Sequence, residues 1–435
     1  MNKHFSLSAA AAALAIGMGC PAAFATDGYF QDGYGASQKA LGGAGVAYTQ
    51  DATGIALNPA GLVNVDDQIA VSMSLFSPFR SYTAQDIAGV NFISAGEHGS
   101  DTTLFAIPDI AWTHHLGPDT VLGVGLYGNG GMDTRYHSAV FGAGFPGGGT
   151  APTGVDLNQA FMTVSLSQRF GQFSVGVAPI LAMQTFKAYG IAPFAGLSMS
   201  PGNVSDNGFA FSYGGGVRAG IEYDVTPGLR LAVAGSSRIY MTDFDLYKGL
   251  YAGGGSFDIP ATITAGVSYD IRPNVTVMLD YKHIFYGDIA SIANPSTNQA
   301  PLGASNGPGF GWSDIDIVKF GVEWRYDPAW TFRAGYSYNT SPLSSRDVMF
   351  NILAPATPQN HITGGFKYAW SEKIDIELSA MYAPNGSVKG NALSLPCGLG
   401  CFTAAQPIEL DMEQYEATIG IVYHFDGRRE LEPLK

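Results

Sequence analysis

Five basic residues of this sequence could bind an anionic ligand, because they alternate with other residues along extended, largely apolar segments. They are Arg218, Arg238, Lys282, Lys319 and Arg333, and the alternation points them to one face of their segments. A cation on such a face can hold a carboxylate through charge-assisted hydrogen bonds. Glu222, Asp280 and Glu323 alternate onto the same faces and could instead neutralise these cations within a wall. The sequence leaves both interpretations open.

The segments that position these residues have the pattern of membrane-spanning β-strands. From Tyr415 to Phe425 apolar residues fill every second position, whereas Glu416 and His424 lie on the other face. A period of two predicts an extended strand with one face against an apolar phase. A strand of about 11 residues can cross a bilayer when it is tilted. An acid on the second face would be costly inside a soluble β-sandwich.

Similar strands recur along residues 68–425 and are separated alternately by short turns and long connections. The short turns contain Pro118, Gly171, Pro227, Pro273, Pro328 and Glu372. Most of these residues favour a tight reversal, because Pro presets φ and Gly tolerates a positive φ. Six short turns and seven long connections join fourteen strands, and an even count is typical of bacterial outer-membrane proteins. We predict an all-β fold, a 14-stranded antiparallel transmembrane β-barrel with short turns in the periplasm.

The composition and the start of the chain agree with export. Residues 1–25 resemble a secretory signal peptide that ends in Ala23-Phe24-Ala25, and their apolar stretch is too short to span a bilayer. The chain is 46% hydrophobic and only 13% charged, which fits a membrane barrel. Removing the signal takes away Lys3 and no acid, so the formal net charge changes from −14 to −15 and argues against nucleic acid as a partner. Residues 426–435 are expected to form a periplasmic tail.

Residues 26–67 precede the first strand and lack its alternation. They are rich in Gly and Ala, and their low charge argues against disorder. Asp51 can cap a short helical run, and Asn58-Pro59 favours a turn or a helix start. A fourteen-stranded lumen is too wide for wall side chains alone to fill. We therefore predict that this segment, called the hatch below, is partly helical and plugs the lumen.

The hatch carries the spaced pattern Gly42-Gly43-Ala44, Val46-Ala47, Asp51-Ala52 and Asn58-Pro59-Ala60-Gly61-Leu62. This pattern resembles the N-terminal hatch of the FadL/TodX family, outer-membrane transporters of long-chain fatty acids and aromatic hydrocarbons. The resemblance extends over the predicted barrel. It implies a hydrophobic ligand that is caught at the outer loops, moves to a pocket above the hatch and leaves sideways at a kinked third strand.

The third predicted strand has the residues for such a kink. It begins with regular alternation and then contains Gly125, Gly128, Gly130 and Gly131. Glycine inside a strand weakens pairing and often marks a bulge or a bend. The alternative is that Gly128 to Gly131 only begin an outer loop.

Apolar residues in the predicted outer loops could form the groove that first captures a ligand. The candidates are Phe141, Phe145, Phe194, Leu197 and Met199. Packing of one loop against another is an equally good reason for apolar residues at these positions.

The functional prediction is passive uptake of hydrophobic molecules by a monomer that is embedded in outer-membrane lipid and lipopolysaccharide. Neither a cofactor nor a metal is expected. Enzyme activity is not expected either, because the histidines show no paired spacing with a marked serine; those compared are His114, His115, His283, His361 and His424. Two alternatives stay open: a diffusion porin for small polar solutes, and a surface receptor or adhesin with an inert barrel.

Cys397 and Cys401 stand in a Cys-Gly-Leu-Gly-Cys motif within a predicted outer loop. An oxidising, exported setting favours a small disulfide loop, whereas two free thiols are the alternative. A metal site would need more ligands than this motif provides. We expect a membrane-impermeant maleimide to label intact cells only after reduction, with a double Cys-to-Ser variant as the unlabelled control. Labelling of the parent protein without reductant would show free thiols.

Overall fold

The structure is a computed structural model, and it describes residues 27–87, 91–142, 152–392 and 405–426. The predicted signal peptide (1–25), Phe145, Cys397, Cys401 and the tail beyond Asp426 lie outside the described residues. Within the described ranges, no helix is long and apolar enough to cross a membrane.

The described residues form one antiparallel sheet that closes on itself. The sheet contains 16 strand segments, of which Gly96–Gly99 and Tyr240–Met241 are short additions beside longer strands. The other fourteen segments are β1 (Gln68–Ala84), β2 (Phe105–Gly117), β3 (Thr120–Tyr136), β4 (Thr153–Phe170), β5 (Phe173–Tyr189), β6 (Ala210–Thr226), β7 (Leu229–Ser236), β8 (Thr262–Arg272), β9 (Val275–Ile284), β10 (Ile315–Arg325), β11 (Trp330–Asn339), β12 (Asn360–Ser371), β13 (Ile374–Asn391) and β14 (Pro407–His424). Each strand pairs with its neighbours along the chain, and β14 pairs with β1 from Gln68↔His424 to Ala84↔Ile408. The predicted 14-stranded antiparallel barrel is confirmed.

Exposed and buried side chains alternate along the strands, so that one set faces outward and the other faces the lumen. On β14, Ile419 is 54% exposed on the outer face, whereas the neighbouring Thr418 is 2% exposed and points inward. Lys319, Glu323 and Arg333 are likewise buried on the inner face of β10 and β11. Only a barrel with an apolar outer band and a polar lumen satisfies both faces in lipid.

The short connections lie where Pro and Gly predict them. Strands β2 and β3, β4 and β5, β6 and β7, and β8 and β9 are each joined by a two-residue turn. These turns are on the same side of the barrel as the exposed aromatic residues Tyr326, Trp370 and Tyr423. Aromatic side chains are enriched at membrane interfaces, so this ring marks one boundary of the apolar band.

The hatch lies inside the barrel. It contains the helix α1 (Gly35–Ala40) and two 3₁₀ helices, Ala52–Ala56 and Pro59–Asn64. Asp51 caps the first 3₁₀ helix by accepting a bond from Thr53 N at 2.7 Å, and Asn58 caps the second by accepting one from Ala60 N at 3.0 Å. Helix α1 packs on the side made by β11 to β14 and β1, whereas Pro59–Asn64 packs against β3 to β6. The segment therefore spans the lumen.

The long connections fold over the other end of the barrel. They contain the short helices Ala192–Leu197, Pro201–Asn203, Asp245–Tyr247, Ala252–Gly255, Tyr286–Asp288, Ala290–Ala293 and Val348–Asn351. Their buried apolar side chains form one large cluster, in which Phe194, Tyr251, Ile292 and Met349 take part. This cluster covers the hatch from the loop side.

The apolar outer band can be tested with a single charge. Replacing Ile419, which faces outward in the predicted membrane-spanning part of β14 (Tyr415 to Phe425), with Arg should lower the free energy of unfolding by about 2–4 kcal/mol, because a charge there must enter hydrocarbon. Urea titration of the protein refolded in lipid vesicles measures this change. Ile419→Val, which keeps an apolar side chain at the same position, is the control and should change the free energy of unfolding little. A fully stable Ile419→Arg variant would contradict the assignment of this face to lipid.

Candidate functional site

Buried ion pairs join the start of the hatch to the barrel wall. Lys319 Nζ on β10 lies 2.6 Å from Asp32 Oδ1 and 3.0 Å from Asp27 Oδ2. Lys282 Nζ on β9 lies 2.8 Å from the same Asp27 oxygen. Burial raises the pKa of the Asp27 carboxyl, but the two lysines lower it by more, so the net shift is downward. Asp27 is thus held in its charged form against two wall cations.

The middle of the hatch is held by hydrogen bonds from its backbone. Asp280 on β9 accepts bonds from Gly45 N and Val46 N, each at 2.8 Å. Arg218 on β6 donates to Ala56 O and, at 3.1 Å, to the Tyr127 hydroxyl. Backbone groups of a non-helical segment need such partners when they are buried. The wall side chains therefore complete the hydrogen bonding of the plug.

Helix α1 is fastened across the junction of the first and last strands. Lys39 Nζ donates to Ser74 Oγ on β1 at 2.7 Å and forms an ion pair with Glu416 on β14. Ser37 Oγ donates to Glu377 Oε1 on β13 at 2.6 Å. The helix thus contacts three strands through polar side chains.

The five cations predicted as ligand candidates do not converge on one site. Lys282, Lys319 and Arg218 contact the hatch, whereas Arg333 bridges Glu323 at 2.9 Å and Glu377 at 3.1 Å within the wall. Arg238 lies among the outer loops, where it pairs with Asp258 at 2.7 Å. Each of them therefore has a partner within the protein. Of the three acids proposed as partners from the sequence, only Glu323 forms an ion pair with one of these cations, whereas Asp280 and Glu222 accept hydrogen bonds from the hatch. Their role as ligand-binding residues stays a prediction.

The two adjacent glycines of the hatch motif, Gly42 and Gly43, are required by backbone conformation and by close packing. Gly42 and Gly43 have φ of 64° and 72°, a region that L side chains rarely adopt. A Cβ on Gly43 would lie 1.8 Å from Asp32 O and 2.6 Å from Lys319 Nζ. Gly43 must therefore lack a side chain, because the backbone reverses direction beside the ion pair between Asp32 and Lys319.

The ladder between β2 and β3 is interrupted in the half that lies nearer to the long connections. It runs from Gly117↔Thr120 to Asp109↔Tyr127 and ends there, although β3 continues to Tyr136 in register with β4. A backbone bond from Asp101 N to Arg135 O at 2.8 Å rejoins the two sides above the interruption. We call the interval between residues 102–108 and residues 128–134 the β2–β3 gap.

The first residues of the hatch take the place of the missing ladder. Gly131 N donates to Tyr29 O at 3.0 Å, and Gln31 N donates to Asn129 O at 3.1 Å. The Gln31 side chain also donates to Gly128 O at 2.5 Å. Residues 29–31 therefore satisfy, from the lumen side, backbone groups of β3 that have no ladder partner in β2.

The predicted strand irregularity lies within this interval. The β3–β4 register shifts between Gly128 and Gly130, so that Asn129 is the extra residue of a bulge. A Cβ on Gly130 would lie 2.0 Å from Tyr29 O, which explains the glycine. Gly125 belongs to a regular part of the ladder, where a Cβ would lie 2.8 Å from Ile55 of the hatch. Because β3 extends to Tyr136, the glycines do not merely begin an outer loop.

Two spaces that share lining residues lie between the outer loops, and the outer one is also lined by polar residues of 296–299. The outer groove has a volume of about 480 Å³ and is lined by residues that include Phe194, Leu197 and Phe350. The inner cavity below it, of about 50 Å³, is lined by residues that include Phe141 and Phe194. Of the predicted capture residues, Phe141, Phe194 and Leu197 therefore meet here. Met199 is exposed nearby and does not line either space.

A third, smaller cavity of about 10 Å³ lies beside the start of the hatch. Gly28, Tyr29, Met132 and Arg80 line it, and it shares Leu353 with the inner cavity. Sequence analysis missed Arg80, although it occupies the inward register of β1 together with Ser72, Ser74 and Phe76 and was open to the same alternation argument. Among the described residues, no group of His, Cys, Asp and Glu side chains could hold a metal ion.

The barrel is closed and has an apolar outer band, and its own N-terminal segment crosses the lumen below apolar spaces among the loops. These features define a plugged outer-membrane barrel of the transport class. Residues 17–394 match the family model described as outer membrane protein transport protein (OMPP1/FadL/TodX). The chain belongs to this family, and its location is the outer membrane. The resemblance seen in the hatch sequence is confirmed.

Individual relatives agree with this assignment. The long-chain fatty acid transport protein of Salmonella typhi is 24% identical over 431 residues, which cover 89% of this chain and 93% of the relative. The fold is similar to that of a Pseudomonas aeruginosa FadL homologue, with a TM-score of 0.69, 15% identity and coverage of 92% of this chain and 100% of that chain. The toluene transporter TodX of P. putida gives a TM-score of 0.65 and 18% identity, with coverage of 91% of this chain and 99% of that chain.

The plug can be tested by removing it. Deletion of residues 30–62 should raise the single-channel conductance in planar bilayers sharply, because the segment spans the lumen. Lys319→Met should raise it less, since a buried ion pair that loses one partner costs about 3–5 kcal/mol and weakens hatch docking. Lys389→Met, which removes an exposed lysine, is the matched control. An unchanged conductance after the deletion would contradict the plug.

Proposed function

We propose that this protein takes up hydrophobic molecules by passive diffusion, from the outer loops to the β2–β3 gap and then sideways into the outer membrane. The observation that carries the proposal is the interrupted β2–β3 ladder, backed by the hatch and reached from apolar spaces among the loops. The polar, crosslinked face of lipopolysaccharide excludes apolar solutes that would cross lipid freely. A protein route past that face needs an apolar path and no energy source.

The first part of the proposed path is the outer groove. It is open to the loop side and shares Phe194, Leu302 and Phe350 with the inner cavity. Apolar lining with a few polar groups is what binding sites for hydrophobic ligands have in common. A volume of about 480 Å³ is within the range of small-molecule pockets. We therefore assign the first capture of the ligand to this groove.

The second part leads downward to the gap. The inner cavity and the small cavity beside Tyr29 share Leu353 as a lining residue, so we assign the step between them to this side chain. Both are narrow, with volumes of about 50 Å³ and about 10 Å³, so a ligand must displace side chains as it moves. The small cavity is lined both by Tyr29 of the hatch and by Met132 of β3, and residues 29–31 are the segment that has to shift.

The last part is the exit through the wall. An unsatisfied backbone group in hydrocarbon costs several kcal/mol, so a break in a transmembrane ladder needs a compensating partner. Residues 29–31 supply these partners in the closed arrangement. Displacing them by a ligand exposes an opening that leads toward lipid and avoids the polar lipopolysaccharide surface. This accounts for a plugged barrel whose route does not follow the lumen axis.

The two alternatives from the sequence fit the geometry less well. A diffusion porin for polar solutes needs an aqueous lumen, whereas here the hatch crosses the lumen and is buried along most of its length. A receptor with an inert barrel would not need an interrupted ladder at the level of the hatch. The relatives are named as transport proteins, which supports transport over catalysis.

The sideways exit can be tested by straightening β3. Deletion of Asn129 removes the extra residue of the bulge and should let β3 pair regularly, as should the double variant Gly128→Val and Gly131→Val, because β-branched residues favour a continuous strand. Uptake of a labelled hydrophobic substrate should fall to the level of cells without the protein, whereas binding at the loops should persist.

The matched control is Gly117→Val at the periplasmic end of β2, where an added Cβ would meet nothing within 4 Å. This variant should take up substrate normally. Uptake is compared in cells with equal surface amounts of each protein. Normal uptake by both straightened variants would exclude the β2–β3 gap as the exit. Mass spectrometry of molecules that co-purify with the parent protein identifies the ligand class.

A further inference from the structure

Tyr251 is a buried tyrosine of the outer loops that lines the inner cavity. It lies between the short helices Asp245–Tyr247 and Ala252–Gly255 and is 4% exposed. Its ring packs against Phe186 and Phe257, each with 4.8 Å between the ring centroids. Within the described part of the chain, the hydroxyl of Tyr251 forms no hydrogen bond. A buried tyrosine hydroxyl usually has a partner, so this group needs an explanation.

Other buried tyrosines give the contrast. The neighbouring Tyr247 donates its proton to a backbone oxygen at 2.6 Å. Two further buried hydroxyls lack a hydrogen-bond partner among the described residues, those of Tyr29 and Tyr82, although the Gln159 side chain lies close to the first. Tyr29 lines the small cavity, the next space along the proposed path, whereas Tyr82 lines none of the three spaces described above. Tyr251 is thus a tyrosine whose hydroxyl is unused at the inner cavity.

The inner cavity offers a ligand few other polar groups. Of the described side chains that line it, only those of Tyr251 and Ser291 carry polar atoms, and Ser291 Oγ already donates to Ser256 O at 2.5 Å. Burial raises the pKa of the Tyr251 hydroxyl well above its ordinary value, so the proton stays on the oxygen. Among these lining side chains, Tyr251 therefore has the proton that is still available to a ligand.

Aromatic rings form much of the remaining wall of this cavity. Phe194 lies edge to face with Phe141 and with Phe350, at 5.0 Å and 5.5 Å between ring centroids. Aromatic rings prefer such geometries, so a flat ligand ring can continue the arrangement. A dry apolar cavity of about 150 Å³ holds one benzene molecule. The inner cavity has about 50 Å³, so even a single ring displaces side chains, and a compact ligand displaces fewer than a long chain does.

We infer that the inner cavity selects compact, neutral aromatic molecules with one acceptor oxygen, such as aromatic ketones, and that Tyr251 is the residue that recognises this oxygen. The inference rests on the proposed function and specifies its substrate class. The Tyr251 hydroxyl donates to the ligand oxygen while the ligand ring packs among the phenylalanines. A hydrocarbon of the same shape leaves the buried donor without a partner, which costs free energy. A carboxylate finds no cation among the described residues that line this cavity.

The small cavity continues the same chemistry toward the β2–β3 gap. Tyr251 and Tyr29 both pack against Phe257, with 4.8 Å and 6.2 Å between ring centroids. The Tyr29 hydroxyl has no hydrogen-bond partner among the described residues and can accept the same role. A ligand oxygen that leaves Tyr251 therefore meets a second donor on the hatch segment that has to shift.

The test compares acetophenone with α-methylstyrene, in which a methylene group replaces the carbonyl oxygen and the shape is nearly the same. The variant Tyr251→Phe removes only the hydroxyl. The matched control is Tyr247→Phe, which removes the hydroxyl of a neighbouring tyrosine that lines none of the three spaces. Affinities are measured by calorimetry on purified full-length protein in detergent. Each ligand is compared between proteins, so its partition into detergent cancels.

We expect Tyr251→Phe to bind acetophenone about three- to tenfold more weakly, the usual weight of one neutral hydrogen bond, while the affinity for α-methylstyrene changes less than about twofold. Tyr247→Phe should change the ratio of the two affinities by less than about twofold. Infrared spectroscopy gives a second measurement. The carbonyl stretching band of acetophenone bound to the parent protein should lie at a lower frequency than in hexane, because a hydrogen bond weakens the carbonyl bond.

Three outcomes would overturn the inference. They are an unchanged acetophenone affinity in Tyr251→Phe, an equal loss of affinity for both ligands, which marks a merely structural role, and an unshifted carbonyl band in the parent protein. If Tyr251→Phe does not reach the membrane, the carbonyl band of the parent protein decides. Failure of cells with the parent protein to take up either ligand faster than cells without it would instead contradict the proposed function.

Discussion

The structure depends on one constraint, which is that hydrocarbon offers no hydrogen-bond partner to a polypeptide backbone. A closed sheet meets this constraint, because each strand pairs on both sides and β14 pairs with β1 along the whole length of β1. At the β2–β3 gap the ladder does not meet it. Residues 29–31 of the hatch therefore act as wall as well as plug, since they bond to the free backbone groups of Asn129 and Gly131. The hydrogen bonding of the barrel wall therefore depends on the position of the hatch.

Charge fixes the hatch in that position. Asp27 and Asp32 are buried with Lys282 and Lys319, and the geometry of each pair is set by the strands β9 and β10. A buried ion pair adds little stability compared with apolar packing, but an unpaired member is strongly disfavoured. The pairs therefore select one placement of the hatch and disfavour the others. A side chain on Gly43 would collide with Asp32 and Lys319 and would prevent this placement of the hatch.

The sequence predicted what is decided locally. Strand number, turn positions and the inward face of Arg218, Lys282, Lys319 and Arg333 follow from alternation and from turn residues, both of which act over a few positions. Arg238 was wrongly expected to point into the lumen, because its strand ends at Ser236 and the residue belongs to an outer loop. The length of the strands was predicted less well. The predicted last strand, Tyr415 to Phe425, is part of a longer strand that begins at Pro407 and pairs with β13 as far as Asn391↔Pro407. The partners of Arg218 and Lys319 depend on the packed hatch, so spacing along the chain could not give them. Gly125 looked like part of a kink, yet its small size is required by Ile55, a contact between residues distant in sequence.

The attachment of helix α1 has a consequence for the assembly of the barrel. Lys39 contacts Ser74 on the first strand and Glu416 on the last, and Ser74 and Thr418 hydrogen bond to each other across the same junction at 2.7 Å. These contacts lie on the inner side of the seam where the sheet closes. Because Lys39 contacts both strands of the seam from the lumen side, we expect the N-terminal segment to lie in the lumen when β14 meets β1. A barrel that closes without this segment therefore leaves two groups at its own seam, Ser74 and Glu416, without the ammonium group of Lys39.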